Sequence, residues 1–287
     1  MKLRRSFVGL AMAACLVAAG ASPAFAGFPG RNGRITFIGG GYDVDENDVA
    51  AIFSFDPLSG DVDSIPRHAS WPSWSPDGTR LAYVTGFSPG IIRIDGVRLT
   101  RGYDPAWSPD GDQIVFHSWP RNGDAELWLI NVDGSGLTQL TRNGTNDWMP
   151  NWGTSGEIAF IRRGEVFTLD PNGGSATRLT SGMRYAAFPN WSPDGTRLAF
   201  ARGGNILKLN VETHKSRRIR GKRLHLSQPV WSPNGKKIVC SVGIEESKLL
   251  IMRTDGTRKR FPNPDIGIEM DEFHTEPDWQ PLPPTEE

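Results

Sequence analysis

Two acidic stretches carry the densest oxygen chemistry in the chain. One is Gly39–Ala50, with Asp43, Asp45, Glu46, Asn47 and Asp48; the other is Asn263–Pro277, with Asp265, Glu269, Asp271, Glu272 and Glu276. Carboxylate and amide oxygens at alternate positions are the ligands a hard cation such as Ca²⁺ takes. Asp43-x-Asp45-x-Asn47 opens in the manner of an EF-hand loop. Asp48 then stands where that loop needs Gly, and Ser54 where it closes on Glu, so it is not an EF-hand. Two readings remain. Asp43, Asp45, Asn47, Asp48, Asp271 and Glu272 form an irregular Ca²⁺ site, or the two stretches are a solvated acidic rim that binds no cofactor.

Other chemistries find less support. The five histidines (His68, His117, His214, His225, His274) show neither H-x-H nor H-x-x-x-H spacing. His117, followed by Ser118-Trp119-Pro120, reads as a polar residue facing a loop. No G-x-S-x-G nucleophile elbow occurs, which argues against a serine hydrolase. A basic run of Lys215, Arg217, Arg218, Arg220, Lys222 and Arg223 has no interleaved aromatics, so it reads as a charged outer strand and not as a nucleic-acid surface. A second run, Arg253–Arg260, reads as the next outer strand. The aromatics Tyr103, Trp119, Trp148 and Tyr185, with His117, form a candidate binding face, since aromatic anchors dominate recognition surfaces. Trp71 and Phe188 each precede a proline of a repeat and fit blade packing equally well.

These residues are spaced by a repeat. "WPSWSPDGTRLAY" (71–83), "DPAWSPDGDQIVF" (104–116), "MPNWGTSGEIAF" (149–160), "FPNWSPDGTRLAF" (188–200) and "QPVWSPNGKKIVC" (228–240) share Pro-x-Trp, a turn, and an apolar-x-apolar strand. Their tryptophans, Trp74, Trp107, Trp152, Trp191 and Trp231, recur at 33, 45, 39 and 40 residues, the period of a propeller array. "EPDWQP" near the C-terminus and "GRNGRITF" near the N-terminus each hold one half of a sixth copy. The expected fold is therefore all-β: a six-bladed β-propeller over residues 27–287, with four-stranded antiparallel blades. N- and C-terminal strands pair inside one blade to close the ring, which removes exposed sheet edges. The 33 Gly and 22 Pro fit many short strands joined by tight turns. Asp77, Asp110, Asp194 and Asn234 occupy one position of the Pro-Asp-Gly turn and read as turn residues, not as catalytic acids. Cys240 stands where other copies have an aromatic and reads as a buried core thiol.

The repeated "PxWSPDGxxIAF", opened by "FPGxNGxI" and closed by "PxWQP", resembles the WD40-like (PD40) repeat of the TolB-type propellers. That resemblance implies the fold over the chain following its leader, and it says little about function. TolB carries a further α/β domain ahead of its propeller, so the resemblance extends to the propeller and not to that domain's role. Oligogalacturonate lyases resemble the same repeat class and hold a metal with histidines from several blades; the scarcity of His argues against that here.

Residues 1–26 read as a cleavable secretory leader: basic Lys2, Arg4 and Arg5, an apolar run from Phe7 to Ala19, and Ala24-Phe25-Ala26 before the cut. "RRSFV" also resembles a twin-arginine signal. Loss of three cations leaves a slightly acidic mature chain with Cys240 as its one cysteine, and hence no internal disulfide. The expected product is periplasmic or extracellular, monomeric, without a membrane span after leader cleavage, and without a nucleic-acid partner. Its expected function is a non-enzymatic scaffold that binds another envelope or secreted protein, or a small ligand, on the loop-bearing face. The alternative is an envelope lyase or hydrolase with a metal at the channel mouth.

Overall fold

A computed structural model describes residues 30–42, 48–67, 69–86, 90–120, 123–219, 224–243, 248–260 and 276–283. The leader, Asp43, Asp45, Asn47, Asp271 and Glu272 lie outside the described residues, and of Asp48 only the backbone is described. The six candidate Ca²⁺ ligands therefore have no described side chains; of the acids in the two stretches Glu276 is described, and it is held by the Trp71 N–H in the fold rather than standing on a solvated rim.

Every described element is a strand. Blade 1 has the order β23 (Asp278–Leu282), β1 (Arg31–Tyr42), β2 (Asp48–Phe55), β3 (Val62–Arg67), so strands from both ends of the chain share one sheet. Blade 2 is β4 (Ala69–Trp74) to β7 (Val97–Arg101) through β5 (Leu81–Thr85) and β6 (Ile91–Ile94). Blade 3 is β8 (Tyr103–Trp107), β9 (Gln113–Ser118), β10 (Glu126–Asn131) and β11 (Thr138–Gln139). Blade 4 is β12 (Asp147–Trp152), β13 (Ile158–Arg162), β14 (Glu165–Leu169) and β15 (Thr177–Arg178). Blade 5 is β16 (Ala187–Trp191), β17 (Arg197–Arg202), β18 (Asn205–Asn210) and β19 (Ser216–Arg218). Blade 6 is β20 (Leu226–Trp231), β21 (Lys237–Val242) and β22 (Lys248–Arg253), and the bridge Ile251–Arg260 stands in its fourth place. The run Arg253–Arg260 is thus mostly the turn leading to that bridge, because Gly256 at φ 86° reverses the chain there.

The core is six seams between neighbouring blades. Trp231, Ile238 and Cys240 of blade 6 pack on Ala199, Ala201 and Ile206 of blade 5. Ile35, Phe37 and Trp279 of blade 1 pack on Val239 and Ile251 of blade 6, which closes the ring. Second strands are covered on both faces, which is why Leu81-Ala82-Tyr83-Val84 is buried without a break. Cys240 is fully buried, and burial pushes its thiol up to about 12, so it is inert packing.

The Pro-Asp-Gly turns sit between the first and second strands. In blade 5 the Gly195 N–H donates to Ser192 O at 2.9 Å, and Gly195 has φ 67°. Asp194 accepts from Ser192 Oγ at 2.6 Å and from Thr196 N at 3.0 Å. Asn234 accepts from Ser232 Oγ at 2.9 Å and Lys236 N at 3.1 Å in the same way. A neutral oxygen does the same work as the carboxylate, so the turn needs an acceptor and not a charge.

Candidate functional site: the channel mouth

In blades 2 to 6 the residue before the repeat proline lies within the innermost strand, and in blade 1 it lies just ahead of β23. In five blades that residue is left-handed: Trp71 and Asp104 at φ 49°, Met149 at 55°, Phe188 at 53° and Gln228 at 49°. The first-to-second-strand ladder slips at the same place in each of these blades, between Ser70 and Ser73 in blade 2 and between Tyr103 and Ala106 in blade 3, for example. The slip is a β-bulge, which bends a strand and re-aims its side chains. The following proline has no N–H to leave unpaired. A bulky residue at positive φ costs on the order of 1–3 kcal/mol, and such cost persists only where the surroundings impose it.

These five residues and Glu276, the counterpart in blade 1, ring one cavity of about 130 Å³ at the channel mouth. That is room for about four water molecules, or for the head of a long side chain. The ring is two-sided. Glu276, Trp71 and Asp104 follow one another around blades 1 to 3, with Asp278 beside Glu276; Met149 and Phe188 face them from blades 4 and 5. Among the described residues no Lys, Arg or His lines this cavity.

The carboxylates are held by backbone. The Trp71 N–H donates to Glu276 Oε2 at 2.7 Å, and the Trp74 N–H to Asp278 Oδ2 at 2.7 Å. In blades 4 and 5 the residues equivalent to Asp278 are Asn151 and Asn190, whose amide oxygens accept from Trp191 N and Trp231 N at 2.9 Å. The link between blades is made equally well by a neutral side chain, so the charge of Asp278 is surplus to the architecture. Burial raises Asp278 to about 6 against the N–H groups of Trp74 and Trp279. Burial, with the charge of Asp104 adding to it, raises Glu276 to about 8 against the single N–H of Trp71.

Among the described residues one imidazole approaches the acids of the mouth: His117 Nδ1 lies 3.1 Å from Asp104 Oδ2. The imidazole nitrogen is out of line and makes no hydrogen bond. His117 is 5% exposed, because β9 continues through Ser118 and carries it inward. It is a strand residue and not the loop-facing polar group its sequence context suggests. Its ring stacks with Tyr103 at 5.7 Å, and Trp119 stands edge-on to both, at 5.3 Å from Tyr103 and 5.0 Å from His117. Trp71 meets Tyr103 edge-on at 5.4 Å. Three of the five aromatic candidates thus form one cluster beside Asp104, with Trp119 49% exposed at its outer edge.

The other two stand apart. Trp148, 37% exposed, pairs with Ile161 on β12. Tyr185, 82% exposed at φ 69°, lies in a separate basic hollow with Arg184, Arg202 and Arg218. Asp104, Met149 and Gln228 were not singled out by their chemistry in the sequence. The signal for them was positional: the residue before each repeat proline differs in every copy while its neighbours repeat. No group of three or more His, Cys, Asp or Glu side chains among the described residues converges to hold a metal.

The profile of the TolB beta propeller domain (PD40) matches residues 66–282. This chain belongs to that family. The PD40 chain superposes on the crystal structure of TolB from Acinetobacter baumannii with a TM-score of 0.71 at 23% identity, over 87% of this chain and 67% of that one. A candidate TolB from Agrobacterium tumefaciens gives a TM-score of 0.66 at 20% identity, over 88% and 99%. At these identities the likeness shows the fold. An uncharacterised protein of Agrobacterium fabrum is 33% identical over 152 residues, 44% of this chain and 52% of that one. The match thus spans about half of that relative's length. No helix among the described residues is long and apolar enough to cross a membrane.

Proposed function

We propose that this PD40 propeller is an exported binding protein that takes up a segment of a partner protein at its channel mouth. The observation that carries the reading is the two-sided ring, to which all six blades contribute one side chain at the same repeat position. Five of those side chains sit on left-handed backbone. A position that varies in chemistry while its geometry is held fixed suits recognition more than packing. The exposed edge of Trp119, with Tyr103 and His117 behind it, extends the ring outward as an anchor for the same partner. The basic, apolar and small-residue order of residues 1–26 supports export.

The test is recovery of a partner from envelope extract on the immobilised mature chain. Trp119→Ala and Phe188→Ala should each reduce recovery at least tenfold, while a variant at the turn face, Asp77→Asn, retains it. Unchanged recovery with both mouth variants sinks the reading. For export, sequencing the mature N-terminus should find Gly27 first.

A further inference from the structure

Among the described residues no Lys or Arg faces the acidic arc of the mouth, and the shape of the cavity says which kind of cation fits. Glu276, Asp104 and Asp278 share the cavity; among the described residues no cationic side chain lines it and no ion pair involves Glu276 or Asp278. His117, nine-tenths buried, stands with its Nδ1 3.1 Å from Asp104 Oδ2 but out of line for a hydrogen bond, so the Asp104 carboxylate gains no hydrogen bond from it. A buried carboxylate without a partner is costly, and a cation entering from outside removes the cost. A metal ion does not fit the described residues, because no three potential ligands converge.

We propose that the mouth receives the guanidinium of an arginine side chain carried by the bound segment; this rests on the channel mouth being the partner site. Glu276, Trp71 and Asp104 line the cavity from successive blades, and Glu276 and Asp104 are close enough to feel each other's charge, so a flat cation seated there meets both carboxylates beside an aromatic side chain. Guanidinium is planar, stacks on aromatic faces, presents five donors and gives up its water more readily than an ammonium. Met149 and Phe188 face the acidic arc and cover the methylenes of the stem. The cavity of about 130 Å³ admits a side-chain head and not a folded domain. Glu276 is raised to about 8 by burial and by Asp104, so at neutral pH it holds a proton that an arriving cation displaces. Among the described residues the titratable groups around it are Asp104 on β8, Asp278 on β23 and His117 on β9.

The experiment is calorimetric titration of the full mature chain with N-acetyl-arginine methylamide, with the neutral isostere N-acetyl-citrulline methylamide and with N-acetyl-lysine methylamide. Arginine should bind at least tenfold more tightly than either, and should release protons at pH 7, read from the dependence of heat on buffer ionisation. Glu276→Gln, which keeps the acceptor for Trp71 N, and Asp104→Asn should each bring arginine to the level of citrulline, with circular dichroism unchanged. Equal affinity for arginine and citrulline, or for arginine and lysine, overturns the proposal, as does the absence of arginine binding. Partner recovery separates the two levels. Loss with Phe188→Ala but not with Glu276→Gln or Asp104→Asn keeps the site and overturns the arginine. No loss with any of the three overturns both.

Discussion

Two groups of carboxylates lie in blades 3 and 4 and at the channel mouth, and their surroundings differ sharply. In the first, Arg162 Nε and Nη2 donate to Asp147 Oδ1 and Oδ2 at 2.7 Å, and Asn143 Nδ2 adds a bond at 2.6 Å. Glu126 accepts from Thr141 Oγ1 at 2.6 Å and Asn143 N at 3.0 Å; Glu165 accepts from Arg178 Nη2 at 3.0 Å and Met183 N at 2.8 Å. These acids latch the outer part of each blade to the chain that leaves it. At the mouth, Glu276 and Asp278 receive backbone N–H groups alone. The same residue type is structural where the sequence supplies its counter-charge, and available to a ligand where it does not.

The largest effect should come from breaking a latch. Asp147→Ala leaves the Arg162 guanidinium over Phe160 and Phe167, at 5.1 and 5.2 Å from the two rings, without its hydrogen-bonded carboxylate, and only the charge of Glu126 remains to offset it among the described residues. Removing one partner of a buried pair costs about 3–5 kcal/mol, and a loss near 3 kcal/mol is expected in urea unfolding. A loss under about 1 kcal/mol would mean that the pair is not a latch, and the comparison would fail on its structural side.

Glu276→Gln should act in the opposite direction. The folded-state pKa of Glu276, about 8, lies above its ordinary 4.5. The folded chain therefore binds the extra proton, and that contribution is present below about pH 4.5 and lost as pH rises toward 8. Glutamine has no charge to bury, so its advantage over glutamate should grow from pH 5 to pH 9. Each unit of raised pKa is worth about 1.4 kcal/mol, and a gain of at least ~1 kcal/mol is expected at pH 9. Urea unfolding at the two pH values decides it; destabilisation at pH 9 would make Glu276 a latch like Asp147.

The fold was legible because the chain states it repeatedly. Trp107, Trp191 and Trp231 are nearly fully buried at one repeat position, and Pro-Asp-Gly or Pro-Asn-Gly writes the same turn in four blades. The split sixth copy even specified that β23 and β1 pair, as Trp279 and Ile35 do. The mouth was not legible in that way. Glu276 and Trp71 are 205 residues apart, and only closure of the ring makes them bonded neighbours. At the position before each proline the sequence offers Trp, Asp, Met, Phe, Gln and Glu, which looks like loss of the repeat until the bulges of five blades and the closure of the ring bring all six to one cavity. His117 misled for a related reason. Ser-Trp-Pro after it suggests a loop, but β9 runs one residue past it, to Ser118.

A smaller effect belongs to the turn face. Asp194 is pushed up by burial but more than compensated by bonds from Ser192 and Thr196, so it rests below its ordinary value and stays charged at neutral pH. Asp194→Asn should change stability by less than ~0.5 kcal/mol, as Asn234 already serves there. Asp194→Ala removes the acceptor and should cost about 1 kcal/mol. Neither should alter partner recovery, and an effect of Asp194→Asn on recovery would place function on the wrong face.

The smallest effect tests how wide the site is. Tyr185 is the most exposed of the aromatic candidates, held at positive φ in a hollow of arginines well apart from the Tyr103–His117–Trp119 cluster. Tyr185→Ala removes little buried area, so stability should change by no more than ~0.5 kcal/mol. Partner recovery should also be unchanged, because a segment seated at Trp71, Asp104 and Glu276 need not reach blade 5's basic rim. A tenfold drop in recovery would extend the interface across the face and give the arginines there an acidic counterpart to bind. The mouth would then be one end of a larger footprint, with a partner carrying both signs of charge.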